Sequence, residues 1–229
     1  WVREDDKPPM IDSNATATPP APERVKIDAT HVFYPLNTEY EIFETAGRQH
    51  TLGAVFILNH KTPIPEPVPP VAPILQQVRR EDALLELDKH NWPWSMMLVP
   101  TLAVDLYELS NNHLWRTDFF FNRFSEAAPA YMNVETDEAG FTEDGWIQFG
   151  FENYYTLLNC GFRMRPTAGT ASGVHPVPLG FGRVYVYLPD GFSYDAWVDG
   201  LDAGQSFVTT GPMLVATLDG AEPGRHVQM

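Results

Sequence analysis

Residues 154–211, YYTLLNCGFRMRPTAGTASGVHPVPLGFGRVYVYLPDGFSYDAWVDGLDAGQSFVTTG, decide how the fold is read. The segment opens in a helix and passes into a loop of small residues, Ala168-Gly169-Thr170-Ala171-Ser172-Gly173. A short strand follows at Arg183–Leu188, then a second helix near Tyr194–Ala203 and a strand running into Gly211-Pro212. Glycine and serine add no bulk, so backbone or ligand approaches closely at such a loop. The helix feeding the loop begins upstream, and its pattern predicts about 17 residues from Trp146 to Phe162.

Working outward, residues 1–28 are rich in Pro, Ala, Thr and charge and read as an extended, solvated arm. From Thr30 two strand-like runs, HVFYPLNTEYEIFE and TLGAVFILNH, are joined by a turn at Ala46-Gly47-Arg48. The proline-dense KTPIPEPVPPVAP reads as a surface crossing, followed by a short helix over Ile74–Glu81 with Ile74, Leu75 and Val78 at helical spacing. ALLELDKH and AVDLYELSNNH are strand-like, and WPWSMMLVPTL reads as a helix begun near Pro93. The polar, Gly-containing stretch from Asn122 to Gly145 reads as a loop or lid. Strands alternating with helices predict an α/β fold, a sheet or barrel that is mainly parallel. Residues 29–211 form that domain, and 212–229 read as the start of a further β module.

The chain has 229 residues and 44% hydrophobic content, enough for one substantial core. Thirty acidic against 15 basic side chains give a net charge of −15, which repels phosphate backbones and argues against nucleic-acid partners. No apolar run reaches the roughly 18 residues of a spanning helix, so no membrane partner is expected. The single cysteine, Cys160, excludes an intramolecular disulfide framework and reads as a small buried hydrophobe in LLNCGF. No signal-peptide pattern is present and the chain begins at Trp1, so it reads as cut from a longer product of undetermined compartment.

Ligands in α/β folds bind where strands end, and four strand ends here carry metal-capable groups. Glu39 and Glu41 lie two apart on a strand; His50 opens the next strand and Asn59-His60 close it. Asp88 and His90 precede the aromatic Trp92-Pro93-Trp94, and Glu108, Asn111, Asn112 and His113 follow AVDLY. Imidazole nitrogens and ionised carboxylates suit Zn²⁺, Mn²⁺ or Fe²⁺, which lower the pKa of bound water. Each of these residues, taken alone, also fits an ordinary hydrogen-bonded or solvated role. No compact HxH or HExxH spacing occurs.

Over about residues 30 to 219 the order of elements resembles the CehA/McbA-type metallohydrolases of the PHP (polymerase and histidinol phosphatase) superfamily, whose fold is a distorted β/α barrel. The resemblance implies metal ligands at Glu39 (or Glu41), His50 and His90. It sets Glu108, with Asn111 or Asn112, against a later Glu and Asn of the family, and Arg183 in RVYV against its Arg-x-Tyr-Val. Two departures stand out. The loop aspartate that ligates metal in the family is Ala171 here, and the family's opening Asp-Leu-His-x-His strand would precede Trp1. His175 lies four residues beyond Ala171, between Val174 and Pro176 in a proline-rich turn.

The resemblance therefore implies a metal-dependent hydrolase of a phosphoester, ester or carbamate, with an undetermined number of Zn, Mn or Fe ions and a small-molecule substrate. Glu39, His50 and His90 would hold metal, Glu108 or His113 would shuttle a proton, and Arg183 would bind an anionic substrate group. Arg183 serves equally as a structural partner of Glu152, Asp195 or Asp199. The competing reading is a catalytically silent PHP-like binding or architectural domain that has lost metal ligands.

Overall fold

The computed structural model describes residues 23–34, 36–45, 48–64, 71–88, 93–110, 114, 130–138, 140–170, 177–214 and 216–221; for 41–45, 48–53 and 93–94 it describes the backbone alone. The protein is mixed α/β. A five-stranded mixed sheet is built from β3 (Thr38–Thr45), β4 (Arg48–Leu58), β5 (Leu84–Asp88), β6 (Leu106–Ser110) and β9 (Arg165–Ala168), in the order β3-β4-β5-β6-β9. No closed barrel is present among the described residues. The chain divides into two compact units, Trp1–Leu106 with Asp190–Val198, and Tyr107–Pro189 with Asp199–Met229.

In the first unit, β1 (Val25–Lys26) pairs antiparallel with β2 (Val32–Phe33), so residues 25–26 of the expected arm are strand. Strands β3 and β4 pair antiparallel from Thr38↔Ile57 to Thr45↔Arg48, with an irregularity between Ile42 and Glu44. Strand β5 returns antiparallel to β4, from Leu58↔Leu84 to Ala54↔Asp88. The expectation of a mainly parallel sheet is thus corrected in this unit. A two-residue connection from Thr45 to Arg48 leaves room only for a hairpin, and helix α1 (Ala72–Arg80) brings the chain back beside the end of β4 rather than to its start.

Helix α1 buries Ile74, Gln77 and Val78 and ends in Arg79 and Arg80, whose charges suit the negative end of the helix dipole. Arg79 pairs with Asp105 at 2.7 Å, and Asp105 also accepts from the Leu85 N–H at 2.9 Å. The WPWSMMLVPTL stretch forms a 3₁₀ turn over Pro93–Met97 and then α2 (Leu98–Leu102), stopped at Ala103 in the left-handed conformation. All five residues of β5, Leu84-Leu85-Glu86-Leu87-Asp88, are buried, so both faces of the sheet are covered there.

In the second unit, a small hairpin of β7 (Thr136–Asp137) and β8 (Gly140–Phe141) precedes helix α3 (Glu143–Asn159). The helix has the expected 17 residues but starts three earlier. Thr142 caps it by accepting from the Gly145 N–H at 3.0 Å, and Glu143 and Asp144 fill the acidic-favouring first turn. Tyr107 of β6 anchors α3: its hydroxyl donates to the Gly150 carbonyl at 3.0 Å and its ring packs on Tyr154 at 5.0 Å. Strand β9 was not expected between helix and loop. Its Pro166 is tolerated because β9 is the last strand in the order and owes the ladder fewer donors. Strands β10 (Arg183–Val186) and β11 (Ser206–Thr209) pair antiparallel, with Tyr185 stacked on Phe207 at 5.3 Å. Helix α4 spans Tyr194–Asp202, close to its expected bounds.

Candidate functional site

Side chains alternate along β6, so Leu106, Glu108 and Ser110 share a face. Glu108 and Ser110 are almost fully buried, at 3% and 2% exposure. Gly169 follows β9, and its N–H donates to the Ser110 carbonyl at 3.0 Å, which sets the small-residue loop against the end of β6. A Cβ at position 169 would lie 2.4 Å from Glu108 Oε1. Glycine is required there because a carboxylate oxygen occupies the space a side chain would take. Gly182 is equally confined: a Cβ would meet the Gly169 carbonyl at 2.7 Å and Ser110 Oγ at 3.1 Å. Thr170 Oγ1 locks the two segments, accepting from the Gly182 N–H at 3.1 Å and donating to the Gly182 carbonyl at 3.3 Å.

Arg183 opens β10 directly after Gly182. Its Nε is buried and has no hydrogen-bond partner among the described residues. Of the structural partners expected for it, Asp195 pairs with Arg24 instead, and no ion pair to Glu152 or Asp199 is present among the described residues. The second unit thus gathers a buried carboxylate, a glycine-lined loop and the start of an arginine-bearing strand. A carboxylate in such a setting can hold or accept a proton, and a guanidinium can bind an anion.

The first unit holds the other expected ligands, and register decides which of them meet. Glu39 lies opposite Phe56, and Phe56 opposite Glu86, so Glu39 and Glu86 flank one phenylalanine on the same face. Asp88 lies opposite Ala54. His50 is six residues from Phe56 along β4, about 20 Å at about 3.3 Å per residue. Metal–ligand bonds are only about 2.0–2.2 Å, so Glu39 and His50 do not hold one ion between them. Among the described residues no three His, Cys, Asp or Glu side chains come together as a metal-binding group. The divalent ion implied by the resemblance does not fit the Glu39–His50 pair. His90, His113, Ala171 and His175, and the side chain of His50, lie outside what is described.

His60, a further strand-end candidate, is explained by its neighbours. It is completely buried, and its Nδ1 lies 2.8 Å from the Thr62 carbonyl, which can only accept; Nδ1 therefore carries the proton. Nε2 then accepts from the Thr38 hydroxyl at 2.8 Å, while the Tyr34 hydroxyl donates to the His60 carbonyl at 2.7 Å. Burial holds the imidazole pKa below its ordinary 6.5, against the Thr62 hydrogen bond and the Glu81 charge. Glu81, just past α1, accepts from the Lys61 N–H at 2.6 Å and from the Thr62 N–H and hydroxyl. Burial alone would raise its pKa, but those donors outweigh it and hold the carboxyl below its usual range. Gln77 donates to the Thr62 carbonyl at 2.8 Å and completes a clamp of residues 60–62 onto α1.

Sequence reasoning passed over Glu86, Ser110 and Gly182. Alternation in LLELD points to Glu86, but the close approach at Ser110 and Gly182 leaves no local pattern. The expectation for Cys160 is corrected: it caps the C-terminus of α3 and is exposed, because the apolar run turns off the helix at Gly161. No helix among the described residues is long and apolar enough to cross a membrane. No family model matches the chain, and no curated protein and no solved structure does either.

Proposed function

We propose that the chain is a hydrolase of the PHP type acting on a phosphoester, ester or carbamate, with Glu108 as the group that moves a proton and Arg183 as the anion-binding group. One observation supports this above the others: Glu108, removed from water at a strand end, fits its carboxylate into the space kept open by Gly169. A carboxylate so positioned can take a proton from an attacking water, and a guanidinium steadies charge on a phosphoryl or carboxyl oxygen. The distorted barrel of that superfamily and its divalent ions belong to the same proposal. No step is assigned to a metal, because the Glu39–His50 pair does not fit one.

Two observations favour the second reading, a silent binding or architectural domain: Ala171 stands where the family's loop has aspartate, and register separates Glu39 from His50. Hydrolysis of p-nitrophenyl phosphate and p-nitrophenyl acetate, with bound Zn, Mn and Fe measured on the same sample, separates the two. The hydrolase reading expects turnover that falls about 100-fold or more in Glu108→Gln. Folded protein that turns over neither ester, alone or reloaded with each metal, gives the case to the silent domain.

A further inference from the structure

Thr170 directs both hydrogen bonds of its hydroxyl to one residue, accepting from the Gly182 N–H at 3.1 Å and donating to the Gly182 carbonyl at 3.3 Å. Threonine is stiff at χ1, so the hydroxyl stays aimed at that residue. Gly182 is itself buried, with the Gly169 carbonyl and Ser110 Oγ filling the space where a side chain would begin. Each end of this tie leads to a group of the candidate site. Gly169, just before Thr170, stands against the Glu108 carboxylate and donates to the Ser110 carbonyl. Arg183, just after Gly182, has its Cα about 3.8 Å from that of Gly182, joined through the carbonyl that Thr170 holds. The Arg183 side chain does not fix its own place. Among the described residues its buried Nε has no hydrogen-bond partner, and no ion pair holds it. Strand β11 holds β10 through the Arg183↔Thr209 pair, while the Thr170 hydroxyl binds the same segment toward Glu108.

We infer that Thr170 is a positioning residue, whose hydroxyl sets where Arg183 stands relative to Glu108. An anionic substrate group held by the guanidinium then presents its reacting atom at a fixed distance from the carboxylate. Catalysis depends steeply on such placement, because a misplacement of about 1 Å can cost on the order of 100-fold in rate. Thr170 touches neither the substrate nor the proton in this scheme and acts only through the backbone of Gly182. The inference rests on the hydrolase reading for the roles of Glu108 and Arg183. Its core, that Thr170 places the anion-binding arginine, holds equally for a silent domain that binds an anion at Arg183.

Calorimetric titration of the full chain with inorganic phosphate and with acetate tests it, alongside hydrolysis of p-nitrophenyl phosphate and p-nitrophenyl acetate. Thr170→Val keeps the shape of the side chain and removes its hydroxyl. The expected result is anion affinity weakened about tenfold or more, with the KM for p-nitrophenyl phosphate raised by a similar factor. The loss with the neutral acetate ester, which offers Arg183 no charge, is several-fold smaller. Thr170→Ser returns the hydroxyl and restores most of the affinity. Where Thr170→Val does not fold, Thr170→Ala removes the same hydroxyl with less bulk and carries the same expectation. Unchanged anion affinity in the folded variant, or equal losses with both esters, makes Thr170 a structural tie alone and overturns the inference. Wild-type protein that binds neither anion overturns it too. Anion binding that depends on Thr170, in protein that hydrolyses neither ester, supports the inference and sinks the hydrolase reading alone.

Discussion

Replacing Gly169 by alanine adds one methyl group at the point where the small-residue loop meets β6. The ideal Cβ would stand 2.4 Å from Glu108 Oε1, more than about 1 Å inside ordinary contact. Gly169 does not have a positive φ, so the backbone accepts alanine and the cost lies in the contact itself. Relief by swinging the loop away would break the Gly169 N–H bond to the Ser110 carbonyl. Relief by turning Glu108 would force a buried side chain off its rotamer. Either route costs about 2 kcal/mol, within the range for overpacking a core site. In urea, followed by tryptophan fluorescence, that loss lowers the midpoint by roughly 0.7–1 M. Glu108→Asp draws the carboxylate back by about one carbon–carbon bond, so in that background the alanine penalty should fall below about 1 kcal/mol. An unchanged midpoint in Gly169→Ala, or an equal loss in both backgrounds, would refute the close approach of Gly169 and Glu108.

Two other consequences can be checked with the same material. The folded pKa of His60 is below 6.5, so the unfolded chain binds the extra proton first as pH falls: stability is full above about pH 6.5 and declines below it. His60→Gln should flatten that decline in urea midpoints between pH 8 and 5.5, leaving the separate loss from Glu81, whose depressed pKa places its effect below 4.5; an unchanged slope would remove His60 from the account. Cys160 is exposed and should react fully with a thiol reagent in the native protein within minutes, whereas reaction only in denaturant would place it in the core.

The elements legible in the sequence are those held by local rules. Helix α3 keeps its expected length but lies three residues earlier at both ends, because Thr142 and the two acids after it cap the helix before the first tryptophan. Strand β10 and helix α4 also fall near their expected positions. What escaped depends on neighbours. RPTA becomes β9 because a strand lies beside it, although proline and its four-residue length argue against a strand. At the candidate site, Glu108 is legible as an acid at a strand end. Ser110 and Gly182 acquire their place from a contact between segments some 70 residues apart, which no spacing encodes. His60 was legible as a polar strand end, but only the Thr62 carbonyl and Thr38 hydroxyl assign it a structural part.

Pro166 has one more effect, beyond the fold of a single chain. An outermost strand normally offers a row of free N–H and C=O groups on which a stray strand from another molecule can add. In β9, a residue without an N–H interrupts that row within a strand of four. An incoming strand would find too short a template to hold, and β10 and β11 pack beside β9, so this end of the sheet offers little for a strand from another molecule to grow on.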